Sequence, residues 1–534
     1  MRILVPAALT LALALACGAR AQDSVLPDIG SSAAEVIDPG LEARYGAYVL
    51  YELRRMGLVI EDPLVQDWLQ GMGFRLAAAS DAPRHGYTFF MLRERNINAF
   101  ATLGGYVGMN AGLVLTAENE AEVAGVMAHE VAHVTQRHVL RAYERAQKDQ
   151  LPIMLAMIGA IAASQAVGGG SNPSDSSSAN ASMAAVAGAM ALMQQRQIDY
   201  TRSNESEADR IGIQTLARAG YDPNGMADFF ERMQRASRGN SGGYQVPEYL
   251  RTHPVTTTRI SETRQRAQRL AEAQAATVAA PARPSLLLPG ELSLAGAGGA
   301  LPVREDAFAW ARERLRVLSA ASPRDAVLEY EALGRAPGRE VSDAQLYGLA
   351  LARMLAGQPR EAEAGLDGLL ARHPGNLWLE LAHAEAAELS RQTAVATRRF
   401  ESLVQRHPDN RAVRLSYADA LGERATAEAG RRAQEVLRPL LADSAEDPLF
   451  QRSFARASQL AGDEIRAGEA HAEAAFLNGR AVDALNQLDR LKQRDDLNYY
   501  QRARIEARMA AITPVVLEMR RQGITGDRQR QDTR

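Results

Sequence analysis

Apolar and polar positions change rhythm several times along the chain. An apolar stretch from Ile3 to Ala16 follows Arg2 and leads into Ala19-Arg20-Ala21, the pattern of an export leader over residues 1–21 that ends at a small-residue cleavage site. It is shorter than the ~20 residues that span a bilayer as a helix, which favours removal over retention as an anchor. Residues 22–278 then mix helical and strand-like spacing. Tyr87 to Leu92 and Tyr106 to Met109 are short and rich in aromatic or branched residues, with Gly104-Gly105 as a turn before the second, so they predict a small sheet. Leu151 to Val167 is apolar, Gly168 to Ala181 is rich in Gly and Ser, and Met183 to Met193 is small and apolar again. Two hydrophobic arms around a pliant tip read as a hairpin over 151–193 that could cover a site or touch a membrane surface or a misfolded chain; a buried helix pair fits the pattern equally well. Residues 279–304 turn to Ala, Pro and Gly without periodicity, the composition of a linker.

From 305 to 515 helical spacing is nearly continuous and an internal period appears. Arg372-His373-Pro374-Gly375-Asn376 recurs 34 residues later as Arg406-His407-Pro408-Asp409-Asn410, and the same step relates Ala350, Ala384 and Ala418. Small residues at fixed positions let paired helices approach, and the Pro stops the second helix of each pair. This pattern resembles the tetratricopeptide repeat (TPR) and predicts roughly six helix pairs. The spacing breaks between Pro408 and Pro448, 40 residues apart, where an insertion or departure from the repeat is expected; a non-repeating helical bundle is the alternative. Residues 516–534 read as a disordered tail.

Composition narrows the classes. Lys+Arg of 61 against Asp+Glu of 64 leaves a net charge of -3, so no whole-chain field argues for nucleic acid as a partner. With 46% hydrophobic residues the chain is an ordinary globular protein, and its 5% aromatic content favours a helical core of aliphatic contacts. The single cysteine, Cys17, lies in the leader, so the chain beyond residue 21 has no thiol to mis-pair in an oxidising compartment. A lipid anchor on Cys17 is the competing reading of the leader.

The chemistry concentrates in Val126-Met127-Ala128-His129-Glu130-Val131-Ala132-His133, which contains H-E-x-x-H. Thr116 is a plausible N-cap, and no Pro or Gly-rich interruption follows until after Lys148, so one long helix is expected. Positions four apart differ by only ~40° around a helix, so His129 and His133 can present imidazole nitrogens to one metal with Glu130 beside them as a proton acceptor. His138 lies ~140° round from His133 on such a helix and is expected to face away. A catalytic metal needs a third ligand. Glu205 and Asp209, again four apart, offer a carboxylate ligand and a hydrogen-bond acceptor for the far nitrogen of a histidine. Without the H-E-x-x-H helix, the same stretch would read as a solvated acidic face paired with Arg202 and Arg210.

Asn98-Ala99-Phe100-Ala101, Gly104-Gly105-Tyr106, Asn110-Ala111-Gly112-Leu113, His129-Glu130-x-x-His133, Glu205-x-x-x-Asp209 and His253-Pro254 with Arg259 together resemble the zinc endopeptidase family that includes HtpX and the CAAX prenyl protease. With the leader and the repeats, the whole chain is similar to periplasmic members that tend outer-membrane β-barrel assembly. The resemblance implies a mainly α fold: an α+β zincin-like metalloprotease domain with a small sheet over 22–278, then an all-α TPR-like solenoid. It implies one Zn2+ per chain on His129, His133 and Glu205, with Glu130 as base and Asp209 behind the ligands. It also implies that His253 either gates the metal or steadies the oxyanion, and that Arg259 beside it is a second candidate for steadying the oxyanion. Asn98, Gly104, Gly105 and Asn110 fall where an extended substrate could add to a sheet edge. Unfolded or misassembled polypeptides are the expected substrates, and the outer-membrane assembly machinery the expected partner of the repeats. The alternative is a chaperone or assembly scaffold acting through the TPR surface with a latent zinc site; a metal-stabilised binding module without turnover is the third reading. All proposed ligands precede residue 279, so the halves are expected to fold separately.

Overall fold

The computed structural model of the chain describes residues 39–145, 176–239, 248–279, 306–335 and 340–521. The leader, nearly all of the linker and residues 151–175 of the expected 151–193 hairpin lie outside them. The N-terminal half begins with α1 (Pro39–Arg55) and α2 (Pro63–Ala79). α2 starts where Asp62 caps it, its carboxylate accepting the Val65 N–H at 3.0 Å, with Pro63 preset for the first turn. It buries Leu64, Val65, Trp68, Leu69, Met72 and Leu76, so it lies within the core rather than on it.

Three short strands follow: β1 (Thr88–Leu92), β2 (Ala99–Thr102) and β3 (Tyr106–Asn110). The order is β1-β3-β2, with β1 parallel and β2 antiparallel to the central β3. β2 has no counterpart among the strand-like stretches of the sequence, because four residues paired through a Gly104-Gly105 turn carry too little pattern. α3 (Ala111–Thr116) and α4 (Glu120–Thr135) come next. Thr116 closes α3, its hydroxyl donating to Gly112 O at 2.7 Å, and the cap of α4 is Asn119, which accepts the Glu122 N–H at 3.0 Å. α4 is also shorter than its apolar pattern suggests. It stops at Thr135, and Arg137 turns left-handed at φ +53°. A short helical stretch over 138–145 resumes in a new direction.

α5 (Ser176–Arg218), α6 (Asn224–Gly239), α7 (Glu248–Thr252) and α8 (Thr257–Ala279) complete this half. α5 and α6 pack against α4 at backbone range: a Cβ added to Gly125 would sit 2.7 Å from Met226 Cα, so only glycine admits this approach. No helix among the described residues is long and apolar enough to cross a membrane.

The second half is a helical solenoid. Its hairpins are α9 (Asp306–Leu318) with α10 (Pro323–Gly334), α11 (Asp343–Leu355) with α12 (Pro359–Arg372), α13 (Leu377–Leu389) with α14 (Thr393–Arg406), and α15 (Arg411–Glu423) with α16 (Ala427–Leu437). α17 (Pro448–Ala461) with α18 (Glu464–Leu477) and α19 (Ala481–Lys492) with α20 (Tyr499–Arg521) complete it. A 3-10 turn at Arg438–Leu440 accounts for the longer step before Pro448, and α20 continues through residues 516–521 of the expected tail.

The two halves share one buried core. Trp68 of α2 packs on Phe308 of α9, ring centroids 6.4 Å apart. Around it, Arg314 reaches Asp62 at 2.7 Å and Tyr347 Oη at 3.1 Å, and Arg411 of α15 reaches Asp67 at 2.7 Å. The expectation of separately folding halves meets this common interior, which no local sequence pattern announces. Arg314 is 5% exposed, and removing one member of such a pair leaves the other buried and uncompensated. Arg314→Met is therefore expected to cost about 3–5 kcal/mol, read as a lowered guanidinium midpoint of the full chain; a loss below about 1 kcal/mol would show that the pair adds little.

Candidate metal centre

From Val123 to Ala132 every residue of α4 is out of solvent, so its two histidines enter a dry interior. His129 and His133, one turn apart, bring their Nε2 atoms within 3.0 Å of one another. α5 crosses α4 and delivers Glu205, whose carboxylate oxygens lie 3.4 Å from each of those nitrogens. The loop after α7 adds His253, with Nδ1 2.9 Å from Glu205 Oε1. One donor atom from each of His129, His133, Glu205 and His253 lies within 4.8 Å of the others. Nitrogen and carboxylate donors at this density suit a divalent transition metal. Glu130, 1% exposed, leaves Oε1 with no hydrogen-bond partner, 3.8 Å from His253 Nε2. A buried carboxylate oxygen without a partner is costly unless the site supplies something for it to meet.

Behind the donors lies a second row. Asp209 Oδ1 sits 2.9 Å from His129 Nδ1, the nitrogen turned away from the cluster. Arg259 grips Asp209 through Nε at 2.7 Å and Nη2 at 2.8 Å, extends Nη1 to Glu205 at 2.9 Å, and donates to Pro254 O at 2.8 Å. Its guanidinium is thus committed to carboxylates and to the His253 loop rather than left free toward a reacting oxygen. Tyr249, fully buried, stacks on His253 with centroids 4.7 Å apart. Sequence reasoning passed over Tyr249, whose only signal is its place four residues before His253.

Charge balance explains how these groups coexist. Burial alone would raise the Glu205 carboxyl, but hydrogen bonds with His129, His133 and His253 hold it well below the usual range. Asp209 is likewise lowered against burial, by Arg259 and His129. Burial pulls the His129 imidazole down, yet Asp209 and Glu205 outweigh it and push it up to about 10. His133, with burial dominant, is lowered and stays neutral at pH 7.

The sheet residues singled out earlier also make contacts within the chain. Asn110 donates through Nδ2 to Asn96 at 2.6 Å and through its backbone to Asn98 O at 2.9 Å. Gly104 and Gly105 have φ of +73° and +78°, and a Cβ on Gly105 would collide with Gly86 O. Among the described residues no strand covers the second edge of β2. His138 corrects the expectation most clearly. It does not face away: the break at Arg137 swings it back, and its Nδ1 lies 2.9 Å from His133 Nδ1.

Comparison with known proteins agrees with this geometry. The family model described as Peptidase family M48 matches residues 63–267, which hold every residue of the cluster and its second row. The chain is 30% identical over 489 residues to the beta-barrel assembly-enhancing protease of Yersinia pestis, covering 92% of this chain and 91% of that one. It is 33% identical over 367 residues to the protein of that name in Escherichia coli K12, covering 67% and 65% respectively. A Vibrio cholerae relative is 42% identical over 243 residues, 46% of this chain and 47% of its own length. The aligned part thus spans about half of the Vibrio relative and just under two thirds of the Escherichia one.

Metal binding to the metal-free chain at pH 7 is expected to release about one proton. His129, its pKa raised to about 10, is cationic there and must be neutral to ligate, so affinity should rise about tenfold per pH unit between about pH 7 and 9. Titration calorimetry in two buffers of different ionisation enthalpy reads the proton; heats that do not depend on the buffer would show His129 already neutral.

Proposed function

The chain belongs to peptidase family M48, and on that premise we propose that it is an exported, zinc-dependent endopeptidase of the periplasm. Its substrates would be unfolded or misassembled polypeptides, in the service of outer-membrane protein assembly. The observation that carries this reading is the meeting of His129, His133 and Glu205 donor atoms with the unpartnered carboxylate oxygen of Glu130.

His129, His133 and Glu205 would hold one Zn2+, with His253 as a fourth donor when no substrate is present. When bound, the metal would supply Lewis acidity at the scissile carbonyl. Glu130 accepts the proton of the attacking water and returns it to the leaving amine. Asp209 fixes the His129 tautomer, and Arg259 positions Asp209, Glu205 and the His253 loop at once. Withdrawal of His253 would open the fourth position, which suits an enzyme that must be restrained among unfolded clients. The free edge of β2 would accept an extended substrate through main-chain hydrogen bonds, which tolerate many sequences. The helix pairs, read as TPR-like, would present clients or the assembly machinery. The names of the Yersinia and Escherichia relatives support the assembly role.

Glu130→Gln keeps shape but cannot take the water proton. It is expected to retain metal and fold while proteolysis of an unfolded test protein falls by about 10²–10⁴. Wild-type turnover by this variant would assign the base elsewhere and restore the scaffold reading. His253→Ala is expected to raise self-cleavage; slower peptide turnover without that rise would place His253 at the oxyanion instead.

A further inference from the structure

The second row behind the metal ligands is only half described by Asp209. We propose that His138 is the positioning residue for His133, as Asp209 is for His129, and that Glu207 holds His138 in turn. This rests on the metal-site reading above and deepens it.

For His133 to give its Nε2 lone pair to a metal, its single proton must sit on Nδ1. That nitrogen lies 2.9 Å from Nδ1 of His138 and so donates to it. His138 must then carry its own proton on Nε2, which lies 3.2 Å from Glu207 Oε2, an acceptor. Only one direction of donation satisfies all three groups, and it leaves His133 in the ligating tautomer. Arg141, 3.2 Å from the same Glu207 oxygen, neutralises the end of the chain. His138 is 3% exposed, so water does not compete for its ring nitrogens.

The backbone supports the assignment independently. A continued helix would carry His138 to the other side of α4, and neither Gly nor Pro forces the interruption. The turn is made by Arg137 in the left-handed region, uncommon for a residue other than glycine, and the guanidinium of that residue is tied to the buried carboxylate of Glu42 on α1. The break returns the His138 imidazole to His133. Glu207 lies on α5 between Glu205 and Asp209, so one helix supplies a ligand and the far end of both supporting chains.

Removing a supporting hydrogen bond of this kind weakens metal affinity by about 10–100-fold. The test is a chelator competition titration with Zn2+ on the full chain as wild type, His138→Ala and His138→Asn. His138→Ala is expected to lose about 10–100-fold in affinity, and His138→Asn, whose amide oxygen falls near the position of Nδ1, to recover to within about fivefold. Equal affinities for wild type and His138→Ala would overturn the assignment. Nitrogen-15 NMR of the wild-type imidazoles supplies a readout that needs no variant: the His133 proton is expected on Nδ1, and a proton on Nε2 in the metal-free chain would also overturn it. If wild type binds no zinc, the metal-site reading itself fails, which the competition titration shows separately.

Discussion

Two carboxylates buried side by side are the constraint from which the catalytic half is built. Glu205 and Asp209 share a helical face in a dry interior and would, left alone, take up protons rather than remain anions. The Arg259 guanidinium spans both, and imidazoles close the remaining directions. Once those anions are fixed, the placement of α8 that carries Arg259 and of the loop that carries His253 follows, because each supplies a counter-charge or donor. The site is therefore an electrostatic solution before it is a catalytic one. A cation introduced among the donors exchanges with a proton already held there.

The same economy operates where the halves meet. Asp62 caps α2 and also pairs with Arg314 of the solenoid, and Asp67 on the same helix pairs with Arg411. The N-terminal end of one helix is thereby gripped by α9 and α15. These pairs flank the packing of Trp68 on Phe308, so the contact between the halves joins charged pairs with an apolar seam.

What could be read from the sequence was what the chemistry packs into one stretch. H-E-x-x-H places three groups on one helical turn, and the Glu205 and Asp209 spacing reveals a shared face, so the principal cluster was visible without a structure. The 34-residue step of the repeats was visible because each hairpin must bury the same face against its neighbour. His138 was misplaced for a definite reason: the helix ends through a tertiary tie between Arg137 and Glu42, and no local residue marks the break. β2 was missed because four residues gain their identity from β3. The common core escaped notice because periodicity shows that a face is apolar and is silent about which element covers it.

Trp68 has a further consequence. Its indole nitrogen donates to Glu120 at 2.8 Å in the first turn of α4, while its ring lies on Phe308 of the solenoid. A single side chain therefore touches both the helix that carries the histidines and the first hairpin of the repeats. In evolutionary terms the two halves are poor candidates for exchange with unrelated modules, since any new neighbour must bring its own aromatic seat for this indole. Divergence of the solenoid is consequently freer in the later hairpins than in α9, whose sequence is tied to the histidine-bearing helix through this indole.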